Sequence, residues 1–255
     1  MNPKISIVIP SYEMNGDGDR FLRENLQTIC DQTFEDFEVI VSDQSKSNII
    51  LDECQKFSER IKIVYIKNFY NKGNASDNIN CGIEHSSGKY IKLSFQDDLI
   101  LDNQALEKIV NTFENTNARW LFNSFCHTNA GKNFNRYMTP RWEKYLLQGN
   151  NLMGSPTNVS FRNENNEYFD INLDLGYDVE YYHRMRMKYG MPHIIEDILV
   201  AVREHSNRAS QTLKMDAQVS YNHMVWDNIQ SELDYIQEKH SEFYNQEDPR
   251  YPDEN

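Results

Sequence analysis

Two stretches set the terms for what this chain can fold into: ISIVIPSYE at Ile5 to Glu13 and YIKLSFQDD at Tyr90 to Asp98. Each begins as an apolar run suited to a strand covered on both faces, and each empties into polar and acidic residues. In a parallel sheet such strand ends share one rim, where open α/β folds bind their ligands. The pair predicts a crevice lined by Tyr12, Glu13, Asp97 and Asp98.

The residues between them keep a strand–helix rhythm. Leu22, Leu26 and Ile29 fall at helical spacing within Phe21 to Cys30, and FEVIVSD then reads as a strand ending at Asp43. A helix around Ile49 to Phe57, a strand from Ile61 to Lys67, a Gly- and Asn-bearing loop and a helix near Ser76 to His85 lead to the strand at Tyr90. Another helix, Asn103 to Phe113, follows the acidic turn. This alternation predicts an α/β fold with a mostly parallel sheet, right-handed crossovers and helices on both faces. Residues 1–115 read as a nucleotide-binding half and 116–210 as a second half. The second half has strands at Trp120 to His127 and His193 to Val202, a helix at Tyr177 to Tyr189, and polar Asn-rich loops up to Asn166.

A C-terminal amphipathic helix is expected from Gln211 to about Lys239 within an extension spanning 211–244. It carries Leu213, Ala217, Tyr221, Met224, Ile229, Leu233 and Ile236. Its stripe is too irregular for heptads, so packing on its own domain is expected, with a homodimer seam as the alternative. Residues 245–255 read as a flexible tail.

A formal charge of −13 excludes a sequence-independent grip on a nucleic acid polymer or an anionic membrane, both of which need clustered cations. An acidic protein still binds a phosphorylated small molecule when a divalent cation bridges the two, which makes a metal the expected cofactor. The four cysteines are far apart and lack zinc-site spacing, consistent with free thiols in a reducing compartment. No stretch approaches the ~20 apolar residues of a membrane span, so the expected location is cytoplasmic, at most peripheral to a membrane.

Several residues suit chemistry, and each also has a plain structural reading. Asp43 at a strand end suits a nucleotide's base or ribose hydroxyls, or a turn. Adjacent Asp97 and Asp98 repel unless a cation or donors satisfy them, and their oxygens suit Mg2+ or Mn2+; one of them is otherwise a helix cap. Gly73, in NKGNASDNIN, allows close backbone approach to a ligand at a helix start, or an ordinary left-handed turn. Asp178 and Glu180, two apart at a helix start, point in different directions, so one of them could face a crevice as a general base; acids are also simply favoured in a first helical turn. His205, flanked by Arg203 and Arg208, suits a metal shell or a diphosphate, or a solvated loop. Neither GxGxxG nor a P-loop is present.

In order along the chain, SIVIPSYE, DQTFEDFEVIVSDQS, NKGNASDNINCGI with SSGKYIKLSFQDD, GSPTNVSFR, DVEYYHR and REHSNRAS resemble the landmarks of the family 2 glycosyltransferases, over about Lys4 to Gln211. The resemblance implies the GT-A fold and an inverting enzyme. Such an enzyme moves a sugar from a nucleoside-diphosphate-sugar donor, a UDP-sugar foremost, to a hydroxyl of a glycan or lipid-linked acceptor. It implies that Pro10, Tyr12 and Glu13 border the nucleobase, that Asp43 holds base or ribose, and that Gly73 and Asn78 support the phosphates. Gln96, Asp97 and Asp98 stand in the acidic motif that grips the diphosphate through Mg2+ or Mn2+, with His205 as a ligand of metal or diphosphate. Asp178 is implied as catalytic base, six residues before Arg184, with Glu180 as its rival.

Two departures stand out. Phe95 replaces the leading acid of the motif, and the Gly73 loop offers Asp77 and Asn78 where relatives often carry Arg. The missing acid keeps a non-catalytic nucleotide-sugar-binding module in view. A sugar-phosphate nucleotidylyltransferase is disfavoured because SYEMNGDGDR is too acidic to cradle a triphosphate.

Overall fold

The computed structural model describes residues 2–71, 73–148, 150–206 and 224–241. The apolar run at the start forms β1 (Ile5–Ser11), flanked by β2 (Phe37–Asp43) and β4 (Tyr90–Leu93), with β3 (Ile63–Lys67) at the edge. These four pair in parallel. Helices α1 (Gly18–Cys30), α2 (Ile49–Phe57) and α3 (Ala75–Glu84) make the crossovers. The alternation within β1 sorts its side chains: Ile5, Ile7 and Ile9 pack with Leu22, Leu26 and Ile50 on one face, while Val8 packs with Ile79 and Ile83 on the other. A strand covered on both sides is mostly apolar, which is why the run lacks the regular polar alternation of a half-exposed strand; its Ser6 is buried and donates to Glu38.

The second half extends the same sheet. β6 (Trp120–Thr128) runs parallel to β9 (His193–Arg203), and the short β8 (Val159–Arg162) pairs antiparallel to both β4 and β6, stitching the halves together. β5 (Leu99–Ile100) joins β9, and β7 (Phe134–Met138) joins β6. The sheet order is β3-β2-β1-β4-β8-β6-β9-β5. The sheet is thus parallel in its first half, as expected, and mixed in its second. Helix α4 (Ala105–Asn115) shares the face of α1 and α2, and α5 (Tyr177–Tyr189) shares that of α3.

Helix α6 (Met224–Lys239) packs back on its own domain: Ile236 is buried in the same cluster as Val179 and Tyr182 of α5. The expected helix residues Leu213, Ala217 and Tyr221, the flexible tail and Arg208 lie outside the described residues. Nothing among the described residues supports a dimer seam. No helix among them is long and apolar enough to cross a membrane, and all four cysteines are unpaired.

Candidate active site

The strand that begins at Tyr90 ends at Leu93, and the acidic residues that follow lie on a turn. Asn25 of α1 builds that turn. Its amide donates to Ser94 Oγ at 3.0 Å and to the carbonyls of Phe95 and Asp98, both at 2.8 Å. The turn sends its two carboxylates opposite ways. Asp97 meets the imidazole of His205, Nε2 to Oδ2 at 2.8 Å, and the ring leans on Phe21 with centroids 4.5 Å apart. Asp98 is only 3% exposed and accepts from the Arg203 N–H at 2.8 Å and from the Thr157 hydroxyl. Of the three expected metal ligands, the structure therefore pairs Asp97 with His205 and turns Asp98 inward, because backbone and hydroxyl donors already satisfy it. No group of three or more His, Cys, Asp or Glu side chains poised for a metal occurs among the described residues.

One carboxylate and one imidazole still fit a divalent cation at a diphosphate, where Mg2+ and Mn2+ take most of their shell from phosphate oxygens and water. The buried Nδ1 of His205 has no partner among the described residues, so the ring is held by Asp97 and Phe21.

Other expected contacts turn out to be internal braces. Gln96 donates to the carbonyls of Tyr12 and Gly18 at 3.0 and 2.6 Å and accepts from the Tyr12 N–H at 2.9 Å. Its amide ties the acidic turn to the end of β1. Gly18 permits this closeness, since a Cβ there would lie 2.2 Å from the Tyr12 carbonyl oxygen. Glu13 accepts from the N–H groups of Lys46 and Ser47 at 2.5 and 2.8 Å, bracing the loop after β2. Asp43 is 0% exposed, with Tyr65, Lys67 and Ser45 all donating to its carboxylate, so these partners fix it at the strand end. Asn78 bridges the Ser42 hydroxyl at 2.6 Å and the Ser11 carbonyl at 3.1 Å. Gly73 has open space where a Cβ would sit; its φ of +89°, not a close approach, calls for glycine. Pro10 lies in β1, and Tyr12 follows with its ring 41% exposed, the accessible aromatic at this strand end.

The acids of α5 separate as their spacing predicts. Asp178 accepts from the Val179 N–H at 2.7 Å and from the Asn151 amide at 2.9 Å. Burial lifts its pKa, these hydrogen bonds only partly oppose the shift, and the result is about 6. Glu180 faces the other way, fully buried, with Arg184 at 2.9 Å, Lys239 at 2.9 Å and His240 at 3.2 Å. Its burial is outweighed by these partners, which hold it well below the usual carboxylate range. Glu180 is thus held in an ion-pair cluster with Arg184, Lys239 and His240. The Arg203 guanidinium that flanks His205 meets the Asp97 carbonyl and Glu24 and lies over Phe21.

Sequence reasoning missed Asn151 and Thr157. The first holds Asp178 and the second holds Asp98, so the loop carrying them links the candidate base to the acidic turn. GSPTNVSFR was legible as a landmark, but its Thr hydroxyl gave no sign of its partner 59 residues away.

An open α/β sheet with an acid–imidazole pair beyond its parallel strand ends defines a ligand-binding domain of the doubly wound class, and the overall form is the GT-A fold. The chain belongs to the family described as glycosyl transferase family 2, whose profile matches residues 6–172. It is 29% identical over 103 residues to the glycosyltransferase GlyG of Streptococcus pneumoniae, covering 40% of this chain and 33% of that one. A Campylobacter jejuni GalNAc(5)-diNAcBac-PP-undecaprenol beta-1,3-glucosyltransferase is 29% identical over 102 residues, 39% of this chain and 31% of that one. The matched stretch thus spans about a third of these curated relatives. Among solved structures, S. aureus TarS in complex with UDP-GlcNAc superposes with a TM-score of 0.65 at 17% identity, covering 79% of this chain and 59% of that one. The mannosyltransferase PcManGT from Pyrobaculum calidifontis, in complex with GDP-Man and Mn2+, gives 0.57 at 14% identity, covering 93% and 70%. At these identities the likeness is one of fold.

Proposed function

We propose that the protein is a nucleotide-sugar-dependent, inverting glycosyltransferase in which Asp178 is the general base. The observation that carries this reading is the poise of Asp178: a partly buried carboxyl brought to about 6, oriented by Asn151 and the first turn of α5. Such a group is ionised at neutral pH yet basic enough to take a proton from an attacking hydroxyl. Asp178 removes that proton as the acceptor oxygen attacks the anomeric carbon from the side opposite the departing nucleoside diphosphate. Asp97 and His205 would hold Mg2+ or Mn2+, which supplies stabilisation of the charge gathering on the leaving diphosphate. Tyr12 covers the base side of the donor.

A UDP-sugar is the proposed donor, in line with the UDP-GlcNAc bound by TarS, and a glycan or lipid-linked saccharide hydroxyl the proposed acceptor. The deciding experiment is Asp178→Asn assayed against UDP-, GDP-, dTDP- and CMP-sugars with Mn2+. The variant is expected to bind nucleoside diphosphate as the wild type does and to transfer no sugar; full transfer removes Asp178 from the role. The two-residue acid–imidazole pair favours one second reading, a module that binds nucleotide-sugar without turning it over. A wild type that shifts its melting point with donor yet neither transfers nor hydrolyses it would establish that reading.

A further inference from the structure

Lys92 is the only lysine among the described residues that is fully buried. It sits in the central strand β4 between Ile91 and Leu93, a position where an apolar side chain would pack without the cost of removing an ammonium from water. Its Nζ donates to Asn123 Oδ1 at 3.1 Å and to the Thr157 carbonyl. Ser160, opposite Lys92 in the β4–β8 ladder, keeps a buried hydroxyl with no partner among the described residues. The pocket around the ammonium is therefore polar, and it lies directly behind the acidic turn. Thr157 is the link: its carbonyl takes Lys92, its hydroxyl donates to Asp98, and the same hydroxyl accepts the Phe95 N–H at 3.0 Å. Burial pushes the Lys92 ammonium down to about 7, and Asp98 works against that shift.

We infer that Lys92 is a positioning residue: by fixing the Thr157 carbonyl it sets the hydroxyl that holds Asp98 turned inward, so that Asp97 is the carboxylate the turn presents beside His205. The role rests on the nucleotide-binding reading above. It also accounts for a motif that lacks its leading acid, since an internal cation and an inward carboxylate fix the turn from behind.

The test compares wild type, Lys92→Met, Thr157→Val, Thr157→Ser and the double variant Lys92→Met/Thr157→Val. Three quantities are read: thermal midpoint without ligand, affinity for UDP and GDP with Mn2+, and the same affinities in EDTA. Lys92→Met is expected to keep or raise the midpoint, because a buried charge is gone, while Mn2+-dependent affinity falls roughly tenfold and EDTA affinity stays put. Thr157→Val should show the same selective loss, Thr157→Ser should recover, and the double variant should be no worse than either single. A folded Lys92→Met or Thr157→Val that binds within about twofold of wild type in Mn2+ overturns the inference, as does an equal loss in Mn2+ and EDTA. Should Lys92→Met not fold, the two Thr157 variants decide alone. A wild type that binds neither nucleotide sinks the proposed function and this role with it; variants indistinguishable from a binding wild type sink this role only.

Discussion

At the residue scale, Asp178 and Glu180 show how two carboxylates one turn apart in purpose are told apart by surroundings. The Asp178 carboxyl, raised to about 6, must be ionised to accept a proton, so kcat/KM should climb with pH through about 6 and level off above it. Asn151→Ala removes a hydrogen bond that favours the ionised form and should move that limb upward; a pH–rate profile checks both. The stability linkage has the opposite sense. A folded pKa above the unfolded value penalises the folded state once pH exceeds the unfolded carboxyl's ~3.9, and the penalty is complete above about 6. Asp178→Asn should therefore gain up to about 3 kcal/mol at pH 8 and nothing at pH 3.5, measured by urea melts. Glu180 is depressed, so its contribution is present above the unfolded glutamate's ~4.3 and fades as pH falls toward its low folded value. Glu180→Gln leaves Arg184 and Lys239 without their partner and should cost about 3 kcal/mol while nucleotide binding survives.

At the element scale, α5 depends on α6. The Glu232 carboxylate accepts the N–H groups of Asp174, Leu175 and Gly176 at 3.0, 3.0 and 2.9 Å, clasping the three residues that lead into α5 and placing a negative charge at its N-terminus. Lys239 and Tyr235 hold Asp170 in the loop before it. Glu232→Ala should cost about 1 kcal/mol or more and speed amide exchange in residues 174–178 while β1 and β4 stay protected. Uniform exchange across the chain would rule this dependence out.

The same scale shows why some elements were legible and others were not. β1, β2 and β9 announce themselves as apolar runs because both faces are covered, and α1 and α4 do so by spacing. β8 has four residues with a buried serine and arginine at its end, and β7 is mostly exposed, so neither carries an apolar signature among the Asn-rich loops. Where β4 stops was invisible too, because Asn25, about seventy residues earlier, decides it.

At the scale of the whole molecule, positions of the site were readable and directions were not. The spacing of QDD marked the right turn, but which carboxylate looks outward is set by Thr157 and Arg203, brought in from β8's approach and from β9. Asp43 ends the right strand and is taken up by Tyr65 and Lys67 of the neighbouring one. If the Asp97–His205 pair is the cation's foothold, UDP with Mn2+ at a hundred times the dissociation constant should stabilise the fold by about 2.7 kcal/mol. EDTA or Asp97→Asn should abolish most of that rise in a thermal-shift experiment.

The cap on α5 comes from a residue 56 positions further along the chain than the glycine it holds. During synthesis the sheet can be complete while the segment bearing the base still lacks its clasp, so competence arrives last. A product ending between Arg203 and Glu232 would hold every strand of the sheet yet leave the approach to α5 unclasped, and on the proposed function it should bind donor better than it turns it over.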